Sequence, residues 1–140
     1  MTLVVPDPNI LVSAVIAPTG TCSKLLAALR AAGLRLVISP HLVEQLTEVL
    51  QREKFRRYVT IEDAQLFVER LRQESLMMAD PEPNDAPIGE DPGDEYLVWL
   101  TRSIHGACLI SGDRHLTRLS GVVPVQTPRE FLDELAGGTP

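Results

Sequence analysis

Apolar and polar residues fall along this chain in blocks, short apolar runs giving way to longer stretches with helical spacing. Residues 2–5 form the first run, short, β-branched and followed by Pro6, and read as a buried strand. Asp7-Pro8 comes next, a cap residue followed by proline at the first helical position, and predicts a helix over residues 8–16. Pro18-Thr19-Gly20 is a turn. Leu25, Leu26 and Leu29 keep helical spacing over residues 21–32, and Gly33 supplies the stop. Residues 34–38 make a second buried strand. Ser39-Pro40 repeats the cap-and-proline signal before a helix over residues 40–51, with Leu42, Val43, Leu46, Val49 and Leu50 on its apolar face.

Residues 53–58 read as a short helix. Thr60 and Asp63 resemble a capping box, and the helix behind them runs to about Ser75 with Leu66, Phe67, Val68 and Leu71 as core candidates. Residues 79–93, rich in Pro, Asp and Gly, form a loop. A helix over residues 92–104 turns Leu97, Val98, Leu100, Thr101 and Ile104 inward, and Gly106 ends it. Residues 107–110 are a third strand, Ser111-Gly112-Asp113 a tight turn, residues 114–119 a short helix and residues 122–125 a fourth strand. Thr127-Pro128 caps a last helix carrying Phe131, Leu132 and Leu135. Residues 137–140 read as a frayed tail, which leaves one domain over residues 1–136. Strands that alternate with helices predict an α/β fold of three layers, α/β/α. Its central sheet is mostly parallel, of four to five strands, with right-handed crossovers.

Composition fits this picture. The chain has 140 residues, 44% hydrophobic and 23% charged, enough for one domain with a real core. No apolar run approaches the ~18–20 residues of a membrane span, and the first residues lack a basic segment. A cytoplasmic protein without membrane association is expected. Cys22 and Cys108 show neither metal-binding spacing nor a disulfide framework. The net charge of -6 argues against indiscriminate binding to nucleic acid. It is compatible with a carboxylate cluster that holds a metal, since the ion returns positive charge locally. The basic residues concentrate in Arg52-Glu53-Lys54-Phe55-Arg56-Arg57.

The candidate chemistry lies in three acids. Asp7 ends the first strand, Asp94 opens an apolar helix, and Asp113 follows the third strand. Helix capping accounts for Asp7 alone, the helix dipole for Asp94, and a turn for Asp113. Capping does not account for Asn9, a residue of modest helix propensity inside the first turn. It also leaves unexplained why three such junctions of an α/β pattern all carry Asp. Such hard oxygen donors suit Mg²⁺ or Mn²⁺. His41, His105 and His115 share no metal spacing, and His115 stands near Asp113.

With these blocks in order, the chain resembles the PIN-domain ribonucleases, of the type found as the VapC toxin of bacterial toxin–antitoxin pairs. Val5-Pro6-Asp7-Pro8-Asn9-Ile10-Leu11-Val12-Ser13-Ala14 is similar to the family's opening signature. Asp94 with Leu97 to Ile104 is similar to its internal Asp-helix block, and Leu109-Ile110-Ser111-Gly112-Asp113-Arg114-His115-Leu116 to its strand-Thr-Gly-Asp block. Pro124 to Leu132 resembles the strand and helix that close the fold. The resemblance implies metal-dependent hydrolysis of RNA, with Asp7, Asp94 and Asp113 as catalytic and metal-holding acids. Asn9 and Ser111 would support them, and Ser13 matches a commonly polar position. A cognate antitoxin and a homodimer are implied in the same way. Two positions depart from the pattern. Pro8 stands where the family has Thr, and Gln45 where it has Glu on the third helix. Helical phasing turns Glu44 and Glu48 outward and leaves Gln45 beside the apolar face, so Gln45 is the site residue. These departures motivate a second reading: a weak or inactive PIN module that binds RNA or a protein partner. Arg52, Lys54, Arg56 and Arg57 form either a solvated face or a phosphate-contacting patch beside the acids. Phosphoryl transfer through an aspartyl nucleophile is set aside. Its sites want a Lys after a later strand, and Lys24 and Lys54 both fall on predicted helices.

Overall fold

A computed structural model describes residues 3–82 and 95–137 of the chain. Strand β1 (Leu3–Pro6) feeds helices α1 (Pro8–Ile16) and α2 (Thr21–Ala31), which lead to β2 (Arg35–Ile38). Helix α3 (Pro40–Leu50), a single 3-10 turn (Glu53–Phe55) and α4 (Ile61–Glu74) connect β2 to β3 (Leu76–Met77). The remaining elements are α5 (Glu95–Arg102), β4 (Cys108–Ile110), α6 (Arg114–Thr117), β5 (Val125–Gln126) and α7 (Pro128–Ala136).

The five strands form one sheet in the order β3-β2-β1-β4-β5, and every pairing is parallel. The chain therefore travels outward from β1 in one direction, returns, and continues from β4 in the other. The reversal between β1 and β4 opens a crevice at the C-terminal edge of the sheet, where folds of this kind bind ligands. Register places Pro6 opposite Ile110 at this edge.

Strand side chains alternate between two faces. Val4, Cys108 and Ile110 pack with Leu25, Leu29 and Phe131, joining α2 and α7 in one layer. Val5 and Leu109 pack with Leu97, Val98, Leu100 and Leu116 of α5 and α6, in a core that continues into α3 and α4. No single described helix is long and apolar enough to cross a membrane.

The caps read from the sequence are formed. Thr60 Oγ1 accepts from the Asp63 N–H at 3.0 Å. Thr127 and Glu130 make a reciprocal capping box at the start of α7. Ser39 is wholly buried, and its Oγ accepts from the Leu42 N–H at 3.3 Å. Ser39→Ala is expected to destabilise the fold by about 1 kcal/mol. The measurement is a lower urea midpoint at unchanged slope.

Three features differ from the sequence expectation. Strand β3 lies between a predicted helix and a predicted loop, because two residues are too few for any periodicity to register. The last strand is Val125–Gln126 rather than residues 122–125; Val122 lies in a turn and is 42% exposed. Leu66 is 66% exposed and not in the core. It sits two residues, about 200°, from buried Ala64, so it points away from the face shared by Ala64, Phe67 and Leu71.

Candidate active site

Asp7 stands at the C-terminal end of β1 as the N-cap of α1. Its Oδ1 accepts from the Asn9 backbone N–H at 3.0 Å, and Pro8 takes the first helical position, where its missing N–H leaves nothing unsatisfied. Its own N–H donates to the Ile110 carbonyl at 2.9 Å, which extends the β1–β4 pairing to the site. Ser111, the next residue after β4, is wholly buried. Its Oγ donates to Asp7 Oδ2 at 2.8 Å and accepts from the Asp113 N–H at 3.0 Å. The serine hydroxyl thus links the two acids. Asp113 caps α6, its Oδ1 accepting from the His115 N–H at 2.9 Å.

Asp7 is only 3% exposed. Burial pushes its carboxyl above the ordinary aspartate range; the Asn9 N–H and the Ser111 hydroxyl pull it down, and the charge of Asp113 raises it further. A buried carboxylate with a second acid close enough to repel it favours a cation. Carboxylate oxygens are the donors Mg²⁺ and Mn²⁺ select, and Mg²⁺ commonly uses one or two of them with waters. The two acids therefore fit such an ion. Among the described residues no group of three His, Cys, Asp or Glu side chains comes together. Asp94, the third acid of the sequence reading, lies outside the described residues.

The other expected site residues divide. Asn9 contributes its backbone N–H to Asp7, and the residue is exposed. Ser13 is half-buried on α1, near the Cys22 thiol of α2. Glu44 and Glu48 are exposed and Gln45 is half-buried, as the helical phase requires. Gln45 Oε1 accepts the Tyr96 hydroxyl at 2.5 Å, and the Tyr96 ring meets the His41 ring edge-on at 4.4 Å between centroids. The His41 N–H donates to Asp80 Oδ2 at 3.0 Å. Sequence reasoning missed Tyr96 and Asp80, since no local pattern announces a contact 51 residues apart. The basic residues begin at the far end of α3, about 16 Å along the helix from its start at the crevice edge. Arg56 is turned inward and donates to the Leu50 carbonyl at the end of α3. Lys54 and Arg57 lie over the rings of Phe55 and Tyr58. The cluster thus follows the end of α3 opposite the crevice edge; Arg56 serves the α3 terminus, and Arg52, Lys54 and Arg57 are exposed. A groove of about 540 Å³ is lined by Leu26, Leu29, Leu36, Phe67 and Leu71, with Arg30 and Glu74 paired at 2.9 Å. Neither described acid of the site lines it.

The acid pair thus stands at the switch point of an all-parallel α/β sheet, where such folds bind ligands. The PIN domain family model matches residues 3–115, and the chain belongs to that family, whose members are in general nucleases. The fold is similar to a chain in the crystal structure of VapBC2 from Rickettsia felis bound to a DNA fragment from their promoter. That likeness has a TM-score of 0.65 at 14% identity and covers 89% of this chain and 98% of that one. No curated protein sequence matches the chain.

Proposed function

We propose that this chain is a Mg²⁺- or Mn²⁺-dependent endoribonuclease that hydrolyses RNA phosphodiester bonds, and the toxin of a toxin–antitoxin pair. The observation that carries the reading is the Asp7–Ser111–Asp113 linkage at the β1–β4 crevice. Asp7 and Asp113 would hold the ion, with Asp94 as a third acid on the family resemblance. Such an ion supplies a water of lowered pKa and a polarised phosphoryl oxygen. The protein's own part is to keep Asp7 oriented and ionisable through the Asn9 N–H and Ser111, and to hold Asp113 in register with it. The likeness in fold to a chain of VapBC2 supports an antitoxin partner. The homodimer and the cytoplasmic location belong to the same proposal.

Cleavage of a mixed RNA panel in Mn²⁺, abolished by chelator and by Asp113→Asn, is the expected result. Cleavage that persists in chelator overturns the reading. A second reading, a module that binds RNA or a protein partner without cleaving, is favoured by Gln45, which brings no charge to the site. RNA retention without cleavage by the wild type would select it.

A further inference from the structure

Gln45 occupies the position where the resemblance leads one to expect a metal-binding Glu, and its hydrogen bonding indicates a different task. A side-chain amide is planar, with an accepting oxygen on one branch of its carbon and an NH₂ that donates twice on the other. The Tyr96 hydroxyl donates to Oε1. The donors must then point away from Tyr96, and among the described residues Nε2 has no hydrogen-bond partner. Tyr96, which donates its hydroxyl proton to the amide oxygen in this arrangement, is itself held. Its ring rests against His41, whose backbone N–H is fixed by Asp80 after β3. Gln45 lies on the second turn of α3, which starts where β2 ends and packs on α1, the helix capped by Asp7. Tyr96 lies on α5, which packs on β1 and β4, the strands that end in Asp7 and Ser111. The bond therefore joins the two helices that wall the crevice.

We propose that Gln45 is a substrate-binding residue that offers Nε2 to a non-bridging oxygen of a phosphodiester, and that Tyr96 is the positioning residue that sets this orientation. The assignment rests on the nuclease reading. It turns the apparent defect of the site into a change of role. A Glu would present acceptors alone and serve a cation; Gln with its oxygen directed to Tyr96 presents donors and serves an anion. Phosphate oxygens are recognised by such N–H donors.

The test uses the full chain in chelator, so that binding is read without cleavage. A 2′-O-methyl RNA oligonucleotide is titrated calorimetrically into the wild type, Gln45→Met, Gln45→Glu and Tyr96→Phe. Gln45→Met, which removes the donors without adding charge, is expected to weaken binding about tenfold, the scale of one hydrogen bond to a charged group. Tyr96→Phe is expected to weaken it several-fold while leaving Mn²⁺ affinity unchanged. Gln45→Glu is expected to tighten Mn²⁺ binding and weaken the oligonucleotide. In the wild type, the Gln45 side-chain amide NMR signals should move when dimethyl phosphate is added, a readout that needs no variant. Wild-type binding of the oligonucleotide together with unchanged affinity in Gln45→Met, or static Gln45 amide signals, overturns the assignment alone. A wild type that binds no RNA overturns the nuclease reading and the assignment with it.

Discussion

Asp7→Asn is expected to abolish Mn²⁺-dependent RNA cleavage while raising the thermal stability of the metal-free protein. The two effects have one origin. Asp7 is buried, and its carboxyl is raised above 3.8 by that burial, with Asp113 adding to the rise against the opposing Asn9 and Ser111 hydrogen bonds. Between 3.8 and the raised value the folded chain binds more protons than the unfolded chain. Stability of the wild type therefore falls as pH increases through that window and stays reduced at neutral pH. Asparagine keeps an oxygen for the Asn9 N–H and brings no charge to bury, a gain set against the Ser111 hydroxyl proton, which loses its carboxylate acceptor when the new amide donates to Oγ. The variant should lose the pH-dependent fall and melt higher at pH 7 in chelator, by about 3–4 °C for each kcal/mol relieved in a domain of this size. Adding Mn²⁺ should reverse the order. An ion that binds only the folded wild type stabilises it by about 2.7 kcal/mol at a hundredfold excess over Kd, and the variant gains less. Activity should fall by more than the roughly 10–100-fold typical when an outer partner of a metal ligand is lost. Melting curves at pH 4, 5.5 and 7, with chelator and with Mn²⁺, read the stability half. A variant that melts below the wild type at pH 7 in chelator would show that ionised Asp7 stabilises the fold.

The same residue shows how far sequence carries and where it stops. The strand before Asp7, its cap and the proline behind it are local signals, and each is found in the structure. So are the helix faces: the phase that put Gln45 beside the apolar stripe of α3 and Glu44 away from it follows from 100° per residue alone. The parallel sheet follows from the alternation of strands and helices. Contacts that join distant segments are not local and were not legible. That Ser111 reaches Asp7, 104 residues away, depends on the β1–β4 register. That Tyr96 takes the oxygen of Gln45 depends on the packing of α3 and α5 about the same edge. Strand β3 escaped for a simpler reason, since two residues carry no period.

Ser111→Ala is expected to cost the fold about 3 kcal/mol at pH 7.5 and distinctly less at pH 4. The side chain is wholly buried and makes two hydrogen bonds, donating to Asp7 and accepting from the Asp113 N–H. Alanine leaves both partners unmet. A lost hydrogen bond to a charged group is worth about 1.5–3 kcal/mol, and an orphaned buried donor about 1–3 kcal/mol. The Asp7 share depends on its charge. Ser111 holds the carboxyl down, so its removal pushes the proton affinity of Asp7 further up and widens the window in which ionisation opposes folding. Toward the lower end of that window Asp7 carries less charge in the folded state, and what remains is increasingly the weaker loss of neutral hydrogen bonds. Urea midpoints at the two pH values, in chelator, measure the difference; equal losses at both would show that the Ser111 hydroxyl does not support the charged form of Asp7. Cleavage by Ser111→Ala should fall roughly 10–100-fold, the range for a group that orients a metal ligand. Ser111→Thr retains the hydroxyl and is expected to restore both the acid-sensitive stability and the cleavage. That rescue separates a hydrogen bond from simple filling of space, because the threonine adds volume where the alanine removes it.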